Sequence, residues 1–183
     1  MSDQSNKPLC CTWSHRGVLP PGLKDKFGDL DQFMRDVVGS ANSRLLIVAP
    51  YISPGGLNLL RDSMLLAIRN GAWIRILTGD LESNNRLNRR AFEALFRGEQ
   101  GQLLRDRSRI LICTERLPVL FHAKIIIADA QRGYMGSANV SVNAMDNNFE
   151  IGCALNPAQA EHLDKLVDFL EAKGFISDCT ATL

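Results

Sequence analysis

At 183 residues and 45% hydrophobic content, the chain has enough apolar material for one well-packed domain and too little length for two ordinary ones. A net charge of +1, from 21 basic and 20 acidic residues, excludes a polycation that coats nucleic acid through bulk charge, so any affinity for phosphates must be local. Apolar runs such as Met64-Leu65-Leu66-Ala67-Ile68 fall far below the ~18 to 20 residues that span a bilayer. Met1-Ser2-Asp3-Gln4-Ser5-Asn6 lacks the basic stretch and apolar core of a secretory signal, and Ala181-Thr182-Leu183 resembles no lipidation box, so the expectation is a cytoplasmic protein away from membranes.

Residues 1–26 carry Lys7-Pro8 and Pro20-Pro21-Gly22 without sustained periodicity and read as an irregular arm or lid, in which Trp13 anchors rather than stacks on a base, and His15 is read likewise. A domain over 27–183 follows. From Asp29, a predicted N-cap, Leu30, Phe33, Met34, Val37 and Val38 recur at helical spacing. Arg44-Leu45-Leu46-Ile47-Val48-Ala49 suits a strand buried on both faces. A helix opens after Pro54-Gly55-Gly56, a turn read as a connector rather than a phosphate cradle, and carries Leu57, Leu60, Met64, Leu65 and Ile68 to Asn70-Gly71. The strand Trp73-Ile74-Arg75-Ile76-Leu77 then closes a βαβ unit, which implies a parallel pair. A helix near 84–97, strands near 109–114, 121–128, 132–136 and 149–155, and a helix from Pro157 to Lys173 complete an α/β sandwich, a mixed and largely parallel β-sheet between helices. The five cysteines are odd in number and without metal-site spacing, so they read as reduced thiols, Cys113 and Cys153 within strands.

The chemistry concentrates between His122 and Glu150. His122-Ala123-Lys124 is followed by Asp129, by Gly136-Ser137-Ala138-Asn139, and by Asn148-Phe149-Glu150. Phosphodiesters resist attack because the anion repels nucleophiles and the alkoxide leaves poorly, so a catalyst must neutralise charge and deliver a proton. Strand alternation would put His122 and Lys124 on one side, where both can meet a single phosphate. Gly136 would let backbone approach the ligand while Ser137 and Asn139 donate to its non-bridging oxygens. Glu150 is suited to accept the Nδ1–H of His122 and leave Nε2 free to attack phosphorus.

This cluster resembles the HKD signature of the phospholipase D superfamily, H-x-K-x4-D-x6-G-S-x-N, with one motif in the chain. The resemblance implies that superfamily's α/β fold and a metal-independent phosphodiesterase without cofactor. It makes His122 nucleophile or acid, Lys124, Ser137 and Asn139 phosphate ligands and Glu150 the orienter of His122, and gives Asp129, the remaining signature residue, a structural role. Compact single-motif members resemble nucleases, including those of bacterial restriction or phage-defence systems, whose partner proteins are then a further expectation.

The reaction needs one imidazole to attack and a second to protonate the leaving group. Of the three histidines, His15 lies in the arm and His162 on the last helix, so the second imidazole is expected from His122 of another copy, in a homodimer with one shared site. Seven arginines between 84 and 109, Arg86, Arg89 and Arg90 foremost, stand against an acidic stretch at 156–183, a segregation that favours a polyanion on one face, with DNA preferred to RNA. The alternative for the arginines is a solvated helix face. The alternatives for the whole are a phospholipase or phosphatidyl transferase, and a nucleic-acid-binding subunit with little turnover of its own.

Overall fold

The computed structural model describes residues 8–12, 17, 19–117, 119 and 121–183. Trp13 and His15 lie outside the described residues. Two short strands, β1 (Leu9–Cys11) and β2 (Phe27–Asp29), flank the one-turn helix α1 (Pro21–Lys24). Part of the stretch read as irregular is therefore sheet: β1 pairs parallel with β2 and antiparallel with a strand from the C-terminal third. Three residues are too few to show a period, and only the pairing defines them.

Helix α2 (Leu30–Gly39) starts where predicted because the Asp29 carboxylate accepts the Gln32 N–H at 3.0 Å. The βαβ unit comprises β3 (Arg44–Ala49), α3 (Pro54–Arg69) and β4 (Trp73–Thr78), with Arg44 opposite Trp73 and Ala49 opposite Thr78 in parallel register. The predicted 84–97 helix is α4 (Ser83–Leu95), and a second helix not predicted, α5 (Gly98–Asp106), follows it. Then come β5 (Ser108–Cys113), β6 (Ile125–Ala128), β7 (Arg132–Gly136), a π-helical turn (Asn143–Asn147), β8 (Ile151–Leu155), α6 (Pro157–Ala172) and β9 (Ile176–Asp178).

The nine strands form one sheet in the order β2-β1-β8-β7-β6-β3-β4-β5-β9. It is mixed: β3, β4 and β5 run parallel, while β6, β7, β8 and β9 join by antiparallel pairing. On one face Ile47, Ile74, Ile76, Ile110, Ile126 and Tyr134 pack with side chains of α2, α3, α4 and α5. On the other, Leu46, Val48, Leu77, Leu111, Ile125 and Ile127 meet Ala160 and Val167 of α6. Burial on both faces is why the 44–49 run is continuously apolar.

A cross-strand arginine row docks α6. Arg44, Arg75 and Arg109 occupy β3, β4 and β5 with the same parity as Leu46, Leu77 and Leu111, hence on the α6 face. Arg44 lies 3.0 Å from Asp164 and 3.1 Å from Asp168, Arg75 lies 2.8 Å from Glu171, and Arg109 lies 2.7 Å from Glu171 and 2.8 Å from Asp178. The acidic C-terminal stretch therefore neutralises arginines of the sheet. Of the seven arginines between 84 and 109, Arg109 belongs to this row, whereas Arg44 and Arg75 lie outside that group.

Candidate active site

The site lies at the carboxyl edge of β3–β5. Val48 near the end of β3 pairs with Ile125, the first residue of β6, so the chain enters β6 at that edge. His122 and Lys124 sit in the extended stretch just before β6, not on the predicted strand. The two side chains nevertheless lie together: Lys124 Nζ is 3.0 Å and 3.1 Å from the two ring nitrogens of His122 and donates to the His122 carbonyl at 2.9 Å. His122 is exposed, whereas Lys124 is only 7% exposed. Burial pulls the Lys124 ammonium below its usual range and the Glu150 charge pulls it back up. A desolvated cation beside an accessible imidazole can bind a phosphate and lower its charge repulsion toward that imidazole.

β7 and β8 bring the other residues to the same edge. The Gly136 N–H donates to the Lys124 carbonyl at 3.3 Å, and the Ser137 N–H donates to the Ile151 carbonyl at 3.0 Å. Ser137 Oγ donates to the Glu150 carboxylate and accepts the Ile151 N–H at 3.2 Å. Asn148 Nδ2 lies 3.5 Å from the other carboxylate oxygen. Glu150 thus grips Ser137 in this chain, and among the described residues no hydrogen bond joins it to His122. Asn139 Oδ1 is buried and has no hydrogen-bond partner among the described residues.

The loop is seated from below by Tyr134, fully buried, whose oxygen accepts the Ala138 N–H at 3.3 Å. Burial pushes its phenol well above the usual range, so it stays neutral. A Cβ on Gly136 would stand 2.3 Å from the Tyr134 oxygen, and one on Gly152 would stand 2.1 Å from its ring, so both positions require glycine. The Pro54-Gly55-Gly56 turn is the first turn of α3. The Ser53 hydroxyl takes the Gly56 N–H at 3.0 Å, and a Cβ on Gly56 would meet the Val140 carbonyl at 2.2 Å. That glycine packs α3 against the Ser137–Val140 loop.

Other predicted residues lie elsewhere. Asp129 is at the far end of β6, five residues beyond Lys124, or about 16 Å along an extended strand. Its carboxylate accepts the N–H groups of Asn42, Ser43 and Arg44 at 2.9, 2.8 and 2.9 Å and the Ser43 hydroxyl at 2.8 Å. It braces the β6–β7 turn against the entry to β3, a structural placement. Arg86 and Arg89 pair with Glu82 at 3.2 and 2.6 Å, and Arg89 also donates to the Thr182 carbonyl at 2.7 Å. Arg90 is exposed and has no ion pair among the described residues. His162 is exposed on α6, as expected of a solvated helix residue.

Thr12 is a site residue that sequence reasoning missed. Fully buried at the end of β1, it donates from its hydroxyl to the Asn148 carbonyl at 2.5 Å, accepts the Glu150 N–H at 3.2 Å, and donates its own N–H to the Glu150 carbonyl at 3.3 Å. No motif or period marks it. All five cysteines are free thiols, and burial, with the neighbouring Cys11 and Cys153 adding to it, pushes the Cys10 thiol up to about 12. Among the described residues no group of three or more His, Cys, Asp or Glu could hold a metal, and no helix is long and apolar enough to cross a membrane.

Solved structures share this fold, among them the following three. Nuc, a phospholipase D family member from Salmonella typhimurium, is 17% identical with a TM-score of 0.59, over 80% of this chain and 88% of that one. Phosphatidylserine synthase from Haemophilus influenzae is 16% identical with a TM-score of 0.61, over 84% of this chain and 37% of that one. NucT from Helicobacter pylori is 16% identical with a TM-score of 0.53, over 84% and 90%. No curated protein matches the chain. Residues 34–170 match the family described as cardiolipin synthase, PLD-like domain. That span holds His122, Lys124, Ser137, Asn139 and Glu150, and the chain belongs to this phospholipase D-like family, whose wider superfamily consists of phosphodiesterases.

Proposed function

We propose that the chain is a metal-independent nuclease, acting on DNA in preference to RNA, that works as a homodimer through a covalent phosphohistidine at His122. The observation that carries this reading is the exposed His122 ring beside the buried Lys124 ammonium, with Ser137, Asn139 and Glu150 on the same edge. A ring nitrogen of His122 attacks phosphorus as the P–O bond to the leaving alkoxide breaks, and that oxygen takes a proton from His122 of the second copy. The second imidazole, now neutral, removes a proton from water. The resulting hydroxide displaces His122 from phosphorus and regenerates both rings. Lys124 and the Asn139 amide N–H donate to the non-bridging oxygens, and the Ser137 hydroxyl joins them by turning from Glu150, so positive charge and hydrogen bonds come from the chain itself.

An apolar surface beside the site supports the pairing of two copies. Met135, Ile151 and Leu9 are 42%, 42% and 41% exposed on the sheet face that α6 covers only in part, and Phe149 beside Glu150 is 54% exposed. An apolar face continuous with the site is where a symmetry mate would pack and bring its His122 across the phosphate. The competing reading is a phosphatidyl transferase. It draws on the same apolar rim, with Val119 67% exposed ahead of His122, and on the description of the matched family.

The test incubates the protein in EDTA with single-stranded and duplex DNA, RNA and phospholipid vesicles, beside His122→Ala. Cleavage of nucleic acid that the variant lacks, with a sedimentation mass twice that of one chain, is the expected result. Headgroup release from vesicles with no nucleic-acid cleavage would overturn the nuclease reading. Salt-sensitive binding without turnover of any substrate would mark a binding subunit.

A further inference from the structure

Glu150 is irregularly placed for a group that must be held to a fraction of an ångström. It follows a π-helical turn and precedes the first residue of β8, so its own secondary structure does not fix it. Its neighbours do. On one side Ser137 bonds both the Glu150 carboxylate and the Ile151 backbone. On the other, β1 pairs Cys11 with Ile151, and Thr12 extends that ladder by one residue to Glu150. The Thr12 hydroxyl replaces a regular ladder bond, accepting the Glu150 N–H and donating its O–H to the Asn148 carbonyl.

We infer that Thr12 is a positioning residue of the reaction, holding the Glu150 carboxylate against Ser137 and within reach of the Lys124 charge from a strand at the other end of the chain. This rests on the proposed role of the site. Three hydrogen bonds from one fully buried side chain and its backbone span 136 and 138 residues of sequence and converge on one short segment. These bonds are part-buried, and their Thr12 end is closed to solvent, so a methyl in place of the hydroxyl leaves the Glu150 N–H and Asn148 carbonyl to find other partners and the segment shifts as they do. A shift of Glu150 moves Ser137 with it and removes negative charge from Lys124, which Glu150 helps to keep protonated. Thr12 touches no substrate. Its effect is to place groups that do.

The experiment compares Thr12→Val, which keeps the shape and deletes the hydroxyl, with Thr12→Ser, which restores it, and with Cys10→Ala, which loosens β1 in the core without touching Glu150. Two readouts are taken: hydrolysis of bis(p-nitrophenyl) phosphate, and titration of the Lys124 Cε resonance, which needs no substrate. The expected result for T12V is a fall in kcat of about 10–100-fold with KM within about two-fold, and a Lys124 titration moved to lower pH. T12S should remain near the parent in both. C10A should melt earlier with its titration and kcat unchanged. Thr12→Ala gives the same readouts should the valine not be accommodated. Wild-type titration and turnover in T12V would overturn the inference, as would equal losses in T12V and C10A. Turnover that survives His122→Ala would instead overturn the proposed chemistry, and the Lys124 titration would still decide Thr12.

Discussion

Replacing Asp129 by Asn separates the structural part of the signature from its chemical part. Burial would raise this carboxyl, but the Arg44 N–H, the Ser43 N–H and hydroxyl, and the Asn42 N–H outweigh it and hold the group at about 2, against an ordinary 3.8. Linkage converts that difference to about 2.4 kcal/mol favouring the folded, ionised form, which solvent contact at the turn reduces to about 1–2 kcal/mol. The folded value is the depressed one, so the stabilisation is complete above the unfolded value near 4 and disappears as pH falls toward 2. Asp129 has a left-handed backbone, φ 54°, which Asn tolerates, so the substitution tests charge rather than strain. In urea at pH 7 the variant should lose about 1–2 kcal/mol, and its melting temperature should fall by about 3–6 °C. The gap between variant and parent should close below about pH 3, with kcat at 25 °C within about two-fold throughout. A variant of unchanged stability that loses turnover by about 100-fold would refute the placement of Asp129 outside the chemistry.

Arg75→Ala removes one of two cations from each of Asp168 and Glu171, which keep Arg44 and Arg109; because Arg75 is only 13% exposed, unfolding in urea should show a loss of about 1 kcal/mol. Gly152→Ala drives a methyl into the Tyr134 ring, and calorimetry should show about 2–3 kcal/mol of destabilisation together with reduced turnover, since Tyr134 seats the Ser137 loop. Arg90→Ala should lower the slope of log affinity for duplex DNA against log salt by about 0.9, while Arg86→Ala and Arg89→Ala, already paired with Glu82, change it by less.

The sequence made legible what a long period or a dense motif encodes. The β3-α3-β4 unit was readable because its apolar runs are six to sixteen residues long and bounded by Pro and Asn-Gly. β1 and β9 were not, because three-residue strands exist only through their partners. α5 was missed because Gly98, at φ 73°, restarts a helix with little apolar patterning. The cluster of His122, Lys124, Ser137, Asn139 and Glu150 was readable from its spacing, though not its place at one edge of the sheet. What Glu150 touches was not, because that depends on Thr12 and on the register of β1 against β8. The docking of α6 was not readable either, because its ion pairs join Arg44, Arg75 and Arg109 of three strands to acidic residues far along the chain.

The most direct measurement is a base-quenched single turnover in EDTA on a DNA oligonucleotide, followed by mass spectrometry of the peptide that contains His122. A phosphoryl–nucleotide adduct on that imidazole, formed and lost at the rate of cleavage, is the expected result. Cleavage that proceeds with no adduct on His122, or with the adduct on another residue, would contradict the account.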